Sequence, residues 1–532
     1  MSDPAFAPNV YDLIVIGAGI NGAAVAREAA LSGLNVLLLE RNDISAGTSS
    51  VSSRLIHGGL RYLEYAELGL VYESLDERER LLTLAPHLVA PLELCIPLYR
   101  DSRRKPWQIS IGLTLYDWLA VNQSVPRHRS LSRDALLARL PGLRSDGLLG
   151  GATYYDAQIA YPERLVLENV RDAVDQGATL VTYAQVTRIL LERGAASGVE
   201  WRTRAGASAR ARAPLLVNAA GPWVDEVLGE LPHTRLIGGT KGSHLVVAPF
   251  PGAPASGLYV EAGADGRPFF ILPWNGLYLI GTTDERFDGD PGDARIDERE
   301  WRYLIEETER VFPGAAPLGP RVLYTCSGVR PLPHRPRAAE SAITRRHLIR
   351  RHRSAKGLYS IVGGKLTTHR ALAEDVLRTL RRHAPQLPKR SPTRARPLPG
   401  ALDAAQRAAL SAAIAADLGA AHGERLVSLY GAAAEQVAAL ARDRELAAEL
   451  VPGGTLAAEL VHAIENEWAV TLVDIFQRRC MLGLGADFGL TAAPRAVAAL
   501  IGAGVWDAER GELELQAYRE LARRSRARAL KE

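Results

Sequence analysis

Residues 11–40 read YDLIVIGAGINGAAVAREAALSGLNVLLLE, and this stretch decides the fold. Its first six residues are an apolar run that predicts a buried parallel strand, and the glycine-rich turn GAGING (17–22) follows at once. Helix-forming residues come next, and then a second apolar strand that ends at Glu40. A strand, a glycine turn, a helix and a strand ending in an acid together predict a dinucleotide-binding βαβ unit.

The glycines and the terminal acid each have a chemical role in such a unit. Gly17 permits the tight turn, Gly19 lets the backbone approach a diphosphate, and Gly22 lets the helix and strand pack closely. The helix N terminus offers free N–H groups and positive potential to the phosphates. Glu40 can accept hydrogen bonds from a ribose diol, and we place Arg41 beside it at the same cofactor. The alternative is a tight turn in an ordinary α/β protein.

The residues after this unit favour FAD over a nicotinamide cofactor. A nicotinamide-dependent enzyme would continue with another crossover helix and strand, whereas residues 46–53 read AGTSSVSS. A small, hydroxyl-rich run is suited to hydrogen bonding with a diphosphate or a flavin edge, and Thr48, Ser49 and Ser50 are the candidates. A polar loop without a ligand is the alternative.

Composition excludes several classes of protein. The chain has 532 residues, 47% of them hydrophobic and 23% charged, which excludes a disordered or collagen-like chain. Its net charge of +4 is small for this length, so we expect no nucleic-acid partner. Cys95, Cys326 and Cys480 are scattered, which fits a reducing compartment and offers neither a metal site nor a disulfide scaffold. We also expect neither a signal peptide nor a membrane-spanning helix.

Seven motifs, in order along the chain, resemble the FAD-dependent glycerol-3-phosphate dehydrogenase family, also called aerobic or quinone-linked. The motifs are GAGINGAAVAREAALSGLNVLLLE (17–40), TSSVSSRLIHGGLRYLE (48–64), VNAAGPWVD (217–225), KGSHLVV (241–247), GTTD (281–284), SGVRP (327–331) and GGKLTTHR (363–370). Each motif alone would be unremarkable, but their order and number together make the resemblance specific. The helical tail resembles the C-terminal domain of that family.

The fold we expect is α/β, with a Rossmann-like FAD-binding domain of the glutathione-reductase type. An antiparallel-sheet substrate domain is interleaved with it, and an α-helical domain follows a Pro- and Arg-rich linker. The expected oxidoreductase region spans 11–382. The expected boundaries are FAD-binding segments at about 11–75, 150–235 and 320–382, substrate-domain segments at about 76–149 and 236–319, a linker at 383–400 and a helical domain at 401–532.

The resemblance implies that the substrate is sn-glycerol 3-phosphate, which would be oxidised to dihydroxyacetone phosphate with hydride transfer to FAD. A phosphate dianion needs cations with directed donors, and arginine is the best planar donor for it. By resemblance we assign Arg61, Arg330 and Arg345 to the substrate pocket, with Tyr62 and Thr283 as hydrogen-bonding partners. The alternative for any one arginine is an ordinary surface position, since the chain is rich in arginine.

The turn GGKLTT precedes a predicted helix that can face the flavin and stabilise the negative charge that develops on its reduction. Lys365 can contact either the flavin or the substrate, or it can simply cap the helix. With Arg330 it is a candidate catalytic residue, and His57 and His244 are the candidates for the general base. The remaining candidate cofactor contacts are Gly221, Gly364, Leu366 and Thr367.

The family passes electrons to membrane quinone, which implies a protein of the cytoplasm that docks peripherally on the inner face of the cell membrane. Residues 103–118 combine basic with aromatic and apolar groups, a composition that suits an interfacial segment. The residues concerned are Arg103, Arg104, Lys105, Trp107, Ile109, Ile111, Leu113, Leu115, Tyr116 and Trp118. An ordinary buried helix with a charged start is the alternative. The basic tail 519–531 can touch anionic lipid or remain a solvated helix end. A homodimer and a monomer both remain open.

Three other functions share this scaffold. The chain can be a glycerol-3-phosphate oxidase that uses oxygen and releases peroxide, or an FAD-dependent amine or amino-acid oxidase. A dinucleotide-binding sensor or scaffold without enzymatic activity is the third. Bleaching of the flavin by glycerol 3-phosphate, and the acceptor that restores its colour, separate these functions.

Overall fold

A computed structural model describes residues 10–120, 123–338, 343–444 and 446–526. In chain order the strands are β1 (Leu13–Ile16), β2 (Val36–Leu39), β3 (Leu55–Ile56), β4 (Val89–Tyr99), β5 (Arg129–Ser132), β6 (Leu148–Ile159), β7 (Thr179–Val181), β8 (Gln185–Glu192), β9 (Ala195–Arg202), β10 (Ser208–Arg212), β11 (Leu215–Asn218), β12 (Thr240–Val247), β13 (Gly257–Glu261), β14 (Pro268–Trp274), β15 (Leu277–Gly281), β16 (Glu285–Arg286), β17 (Val322–Arg330), β18 (Leu348–Arg351) and β19 (Leu358–Val362). The α-helices are α1 (Ile20–Leu31), α2 (Leu68–Leu84), α3 (Pro106–Leu119), α4 (Arg133–Arg139), α5 (Pro162–Asp175), α6 (Val224–Leu228), α7 (Glu298–Val311), α8 (His369–Leu380), α9 (Ala404–Leu418), α10 (Ala420–Tyr430), α11 (Ala434–Asp443), α12 (Ala457–Asn466), α13 (Leu472–Arg478), α14 (Ala493–Gly502) and α15 (Ala508–Arg526).

The first sheet is the predicted dinucleotide-binding sheet, with six strands in the order β18-β19-β11-β1-β2-β7. Its strands run parallel except for the edge strand β18, which is antiparallel to β19. The four residues of β1 are all buried, because α1, α5 and α8 cover one face and the small sheet β8–β10 covers the other. Coverage of both faces explains why these strands are uninterrupted apolar runs.

The second sheet has ten strands and contains β12, β14, β15 and the long hairpin-like pair β4 and β6. Its pairings are antiparallel apart from β4 with β13. The structure thus has the α/β domain and the interleaved antiparallel sheet that the sequence predicts.

The boundaries between the two sheets differ from those expected. Strands β3, β6 and β17 belong to the large sheet, although the expected segments 11–75, 150–235 and 320–382 place them with the FAD-binding domain. The expectation relied on strands that end in glycine turns. The sheet to which β6 and β17 belong is instead decided by their pairing with β4 and β12. These strands are distant in sequence, so no local pattern reveals the pairing.

The C-terminal region is helical from α9 to α15, and residues 383–400 connect it to the body with neither a strand nor an α-helix. This connection is nevertheless fastened to α1, because Arg27 donates to the carbonyls of Arg396 and Pro397 at 3.1 and 3.2 Å. The apolar spacing over 460–476 predicts one amphipathic helix, but the structure has two. The chain turns at Trp468, whose φ is 57°, and Thr471 caps the next helix. Within the described residues no helix is long and apolar enough to cross a membrane.

Candidate active site

The glycine-rich turn between β1 and α1 forms the floor of a long cleft. Gly17 has φ of +102°, and a Cβ there would lie 2.8 Å from the carbonyl oxygen of Ala219. A Cβ on Gly22 would lie 1.8 Å from the Gly17 carbonyl oxygen, so only glycine lets the helix pack on the strand. Gly19 is the N-cap of α1 and has no capping side chain. The first amides of α1 therefore face the cleft, where they can bind a diphosphate.

The acid at the end of β2 lies in the same cleft. The Glu40 carboxylate accepts from the amides of Ala18 at 2.8 Å and Asn42 at 2.9 Å. Burial raises the pKa of Glu40, and these two hydrogen bonds oppose the rise. Each carboxylate oxygen keeps a further lone pair, so a ribose diol can bind there. Beside it the Arg41 guanidinium lies 4.1 Å from the ring centroid of Trp223 and forms one wall.

The hydroxyl-rich loop crosses the cleft opposite the glycine turn. Ser49 Oγ accepts from the Ile20 amide at 3.0 Å and so supplies the cap that Gly19 lacks. Thr48 donates to the carbonyl of Val329 at 2.7 Å and lines the cleft. Ser50 does not line the cleft: its hydroxyl turns back to the Ser45 carbonyl in the same loop. The structure does not bring the Ser50 hydroxyl to the cleft, and its role as a cofactor contact stays a prediction.

The C-terminal end of β19 closes the cleft. Gly221, Gly364, Lys365 and Leu366 line it, whereas Thr367 faces an inner cavity instead. Gly364 has φ of +100°, and a Cβ there would lie 2.9 Å from Asn21 Nδ2.

Asn21 Oδ1 is buried and has no hydrogen-bonding partner among the described residues. The cleft therefore fits a bound FAD. It offers free helix amides, the acid Glu40, small residues where chain and ligand approach closely, and this unpaired acceptor.

The inner cavity adjoins this cleft. Both are lined by the same six residues, namely Thr48, Ser52, Pro331, Gly364, Lys365 and Leu366. The lining of the cavity also includes candidate site residues from distant segments, namely His57, Tyr62, His244, Arg330, Arg345 and Thr367. A ligand in the cavity therefore lies against the cofactor cleft.

Two arginines of the cavity share one buried carboxylate. Asp284 accepts from Arg330 Nη1 at 3.2 Å and from Arg345 Nη2 at 2.9 Å. Burial opposes ionisation of Asp284, but the two guanidinium groups outweigh it and hold the pKa of Asp284 below its ordinary value. Two cations and one anion leave an excess positive charge. Gly242 makes room for this arrangement, because a Cβ there would lie 2.2 Å from Arg330 Nη2.

Both candidate bases are neutral imidazoles. Burial and the charge of Lys365 lower the pKa of His57 to about 3. Burial, with Arg330 and Arg54, lowers the pKa of His244 to about 3 as well. His244 Nε2 lies 2.9 Å from Ser53 Oγ, and its Nδ1 has no partner among the described residues. At neutral pH both imidazoles are therefore unprotonated, which is the form that a general base must have before the reaction.

Lys365 extends between the cleft and helix α2. Its Nζ donates to Ser74 Oγ at 2.8 Å and to the carbonyls of His57 and Gly58 at 3.3 and 3.4 Å. The ammonium also lies 4.8 Å from the ring centroid of Tyr62. Burial lowers the pKa of Lys365 to about 7, although Asp156 and other carboxylates raise it. The charge of this lysine is therefore sensitive to its surroundings near neutral pH.

Two predicted substrate contacts, Thr283 and Arg61, are not among the residues that line the inner cavity. Thr283 is buried, donates to Glu300 Oε1 at 2.6 Å and accepts from the Ser243 amide at 2.9 Å, so its only donor is already used. The role of Thr283 in substrate binding therefore stays a prediction, and its neighbour Thr282 accepts from Arg330 at 2.9 Å. Arg61 lines a neighbouring groove beside Arg104, but its charge helps to lower the pKa of both Asp284 and Arg330, so it lies near the cavity.

Sequence reasoning missed Asn21, Trp223 and Asp284, all of which contribute to the cleft or the cavity. Each lies inside one of the seven motifs, namely GAGINGAAVAREAALSGLNVLLLE, VNAAGPWVD and GTTD respectively. Attention to the buried acid of GTTD, beside two arginine motifs, could have identified Asp284.

Comparison with known proteins agrees with this geometry. Residues 12–378 match the FAD dependent oxidoreductase family model, and residues 391–511 match the C-terminal domain of alpha-glycerophosphate oxidase. A glycerol-3-phosphate dehydrogenase from Synechocystis sp. is 43% identical over 552 residues, covering 97% of each chain. The aerobic glycerol-3-phosphate dehydrogenase of Escherichia coli is 38% identical, over 69% of this chain and 73% of that protein.

A solved structure shows the same architecture. The glycerol-3-phosphate dehydrogenase from Bacillus halodurans, complexed with FAD, matches with a TM-score of 0.77 and 25% sequence identity, covering 98% of this chain and 96% of that chain. These matches confirm the resemblance, the fold class and the cofactor that the sequence predicts. The chain belongs to the FAD-dependent glycerol-3-phosphate dehydrogenase family, and its cofactor is FAD.

Proposed function

We propose that the protein oxidises sn-glycerol 3-phosphate to dihydroxyacetone phosphate and passes the electrons to membrane quinone. The observation that carries the proposal is the inner cavity, where Arg330 and Arg345 flank Asp284 while two neutral imidazoles face the same space beside the FAD cleft. Excess positive charge suits a phosphate, and a neutral imidazole suits removal of a hydroxyl proton. The names of the relatives in Synechocystis sp. and Escherichia coli support the same substrate.

Substrate binding is the first step in which the chain's own residues act. The Arg330 guanidinium is held by Thr282 and by the Thr283 carbonyl, so its orientation is fixed before the substrate arrives. Charge-assisted hydrogen bonds from Arg330 and Arg345 would hold the phosphate. Asp284 prevents the two guanidinium groups from repelling each other in the empty cavity.

Proton removal is the second step. His57 or His244 accepts the proton of the C2 hydroxyl, and a pKa of about 3 keeps either one unprotonated before the reaction. FAD, when bound, supplies the hydride acceptor beside the cavity. Lys365, which lines both the cleft and the cavity, stabilises the negative charge that develops there.

His57→Asn and His244→Asn identify the base. The substitution at the base should lower the rate of flavin bleaching about 10²–10⁴-fold with little change in the dissociation constant of substrate, whereas the other should change the rate by much less. Equal, small losses in both variants would exclude a histidine base.

The decisive experiment for the reaction is anaerobic addition of glycerol 3-phosphate to purified holoprotein. We expect loss of the oxidised flavin absorbance. A four-carbon polyol phosphate is the comparison substrate, because D-erythritol 1-phosphate dehydrogenase of Brucella abortus is 37% identical over 89% of this chain. Glycine and other small amines test the amine-oxidase alternative. Flavin that stays oxidised with glycerol 3-phosphate would contradict the proposal.

The acceptor is tested by reoxidation of the reduced protein. We expect a quinone analogue to restore the flavin absorbance quickly and air to do so slowly, with little peroxide. Rapid reoxidation in air with one peroxide formed for each flavin would favour the oxidase alternative instead.

We further propose that helix α3 docks on the membrane surface. Trp107, Ile111 and Trp118 are 63%, 60% and 76% exposed, and their spacing places them along one side of the helix. Lys105 precedes the helix and suits anionic lipid headgroups. Of the basic tail, residues 519–526 lie at the end of α15, and residues 527–531 lie outside the described residues.

Substitution of the three α3 residues by serine tests docking. Cosedimentation with anionic phospholipid vesicles and turnover with a membrane quinone should both fall, while anaerobic bleaching should be unchanged. The matched control is Leu513→Ser, which removes an apolar side chain that is 58% exposed on α15. Equal vesicle binding by the triple variant and the control would contradict a docking role for α3.

A further inference from the structure

Two arginines at the end of helix α13, in the C-terminal domain, bind an aspartate of the FAD-binding domain. Asp43 Oδ2 accepts from Arg478 Nε at 2.6 Å and from Arg479 Nη1 at 2.9 Å, and Asp43 Oδ1 accepts from Arg479 Nη2 at 2.6 Å. Asp43 is completely buried, so the C-terminal domain supplies the charged partners of this carboxylate.

A second aspartate balances the cluster. Asp474 accepts from Arg478 Nη2 at 2.6 Å, so two arginines face two carboxylates. Tyr183 of the FAD-binding domain donates its hydroxyl to Asp474 at 2.7 Å, and its amide donates to the carbonyl of Asn42 at 2.9 Å. The C-terminal domain is thus tied to the cofactor domain both at Asp43 and next to it.

The segment that begins at Asp43 runs directly into the cofactor cleft. The Ser45 amide donates to the Ala18 carbonyl at 3.1 Å, inside the glycine-rich turn. Four residues farther on, Ser49 Oγ accepts from the Ile20 amide and caps α1. Gly47, Thr48 and Ser49 line the cleft. Asp43 therefore begins a loop that forms one wall of the FAD site.

We propose that Arg478 and Arg479 are positioning residues for FAD, and that the C-terminal domain holds the 43–50 loop in the conformation that binds the cofactor. Buried charges are costly to desolvate unless each has a well-placed partner. The cluster therefore strongly favours one arrangement of α13 against the loop over any arrangement that separates them. Loss of one arginine leaves the Asp43 carboxylate under-paired, and the loop then departs from the cleft.

The experiment must distinguish a role in positioning the 43–50 loop from a role that only holds the two domains together. Arg479→Met removes two of the three bonds to Asp43, and Arg479→Lys keeps the charge but loses the paired donors. The matched control is Arg425→Met, because Arg425 Nη1 binds the buried Glu459 carboxylate at 2.6 Å wholly inside the C-terminal domain. Each variant is purified as holoprotein, and its thermal midpoint is measured.

The main measurement is the release of FAD, which is monitored through the increase in flavin fluorescence when the cofactor dissociates. We expect Arg479→Met to raise the dissociation constant of FAD about tenfold or more, and Arg479→Lys to raise it several-fold. Arg425→Met should change the constant less than about twofold, although it too removes a partner from a buried carboxylate. The same FAD loss in the control, at the same loss of thermal midpoint, would overturn the proposal.

Hydrogen exchange provides a second measurement should Arg479→Met fail to fold. In the Arg479→Lys holoprotein we expect faster exchange of the amides of residues 43–50 and of Ile20, while the α9 and α10 amides keep their wild-type rates. Exchange that accelerates in the C-terminal helices while the loop stays protected would overturn the proposal.

Discussion

The cofactor cleft and the inner cavity are both suited to phosphate, but by different means. The cleft offers backbone amides at the start of α1, and glycines at 17, 19 and 22 let chain and ligand approach each other. The cavity offers the side chains of Arg330 and Arg345, which come from different segments and meet on Asp284. A site made of backbone is specified locally, whereas a site made of side chains depends on the register of strands far apart in sequence.

The largest effect is expected from a substitution that disrupts the backbone site in the cofactor cleft. Gly22→Ala places a Cβ 1.8 Å from the Gly17 carbonyl oxygen, so α1 must move off β1, at a cost of about 3 kcal/mol or more. We expect loss of bound FAD and a lower thermal midpoint, measured by flavin content and circular dichroism. Gly69→Ala is the control, because a Cβ there meets nothing within 4 Å. A Gly22→Ala protein that keeps its FAD would contradict this account of the turn.

The next largest effect is expected on substrate binding in the inner cavity, where side chains form the phosphate site. Arg330→Ala should lower kcat/KM for glycerol 3-phosphate about 10²–10³-fold, mostly through KM, because a charge-assisted contact to the phosphate is lost. FAD content should be unchanged, which separates the cavity from the cleft. Arg302→Ala is the control, since Arg302 is an exposed residue of α7 paired only with Glu298 in the described residues. An unchanged KM in Arg330→Ala would exclude Arg330 from phosphate binding.

A third effect follows from the buried histidines of the cavity. His57 and His244 have folded-state pKa values of about 3, against an ordinary value of 6.5, so the unfolded chain binds more protons between these limits. The contribution of these two histidines to the free energy of unfolding is therefore fully present above pH 6.5 and is lost as the pH decreases toward 3. Each histidine contributes up to about 1.4 kcal/mol per pH unit to this slope.

Chemical denaturation of wild type and His244→Asn at several pH values between 4 and 7 measures the contribution. The variant should show a shallower decline of the unfolding free energy with decreasing pH. The same slope in both proteins would show that His244 is not buried as a neutral group.

The smallest effect on catalysis is expected at Thr283, which lies behind the cavity. Thr283→Val removes the donor to Glu300 and the acceptor for the Ser243 amide, so unfolding free energy should fall by about 1–3 kcal/mol. KM should change less than about twofold, because the hydroxyl donates to Glu300 and Thr283 does not line the inner cavity. A steep rise in KM with unchanged stability would restore Thr283 as a substrate contact.

Sequence reasoning succeeded where chemistry is local. The βαβ unit, the glycine positions, Glu40 and the loop at Thr48 and Ser49 were all predicted, because turn geometry and helix amides depend on adjacent residues. It did not anticipate the hydrogen bonds of Ser50 and Thr283, whose hydroxyls donate to Ser45 and Glu300 respectively. One residue along a loop or strand reverses the side-chain direction, and only packing decides it.

The sequence by itself determined the family, the cofactor, the order of the domains and the arginines and histidines available for chemistry. Only the tertiary structure decided that Asp284 lies between two arginines, that both histidines are neutral, and that Arg478 and Arg479 reach the FAD loop. The physical reason is that motifs record short-range backbone requirements. Burial, charge pairing and pKa shifts arise from contacts between segments tens to hundreds of residues apart, which no local pattern encodes.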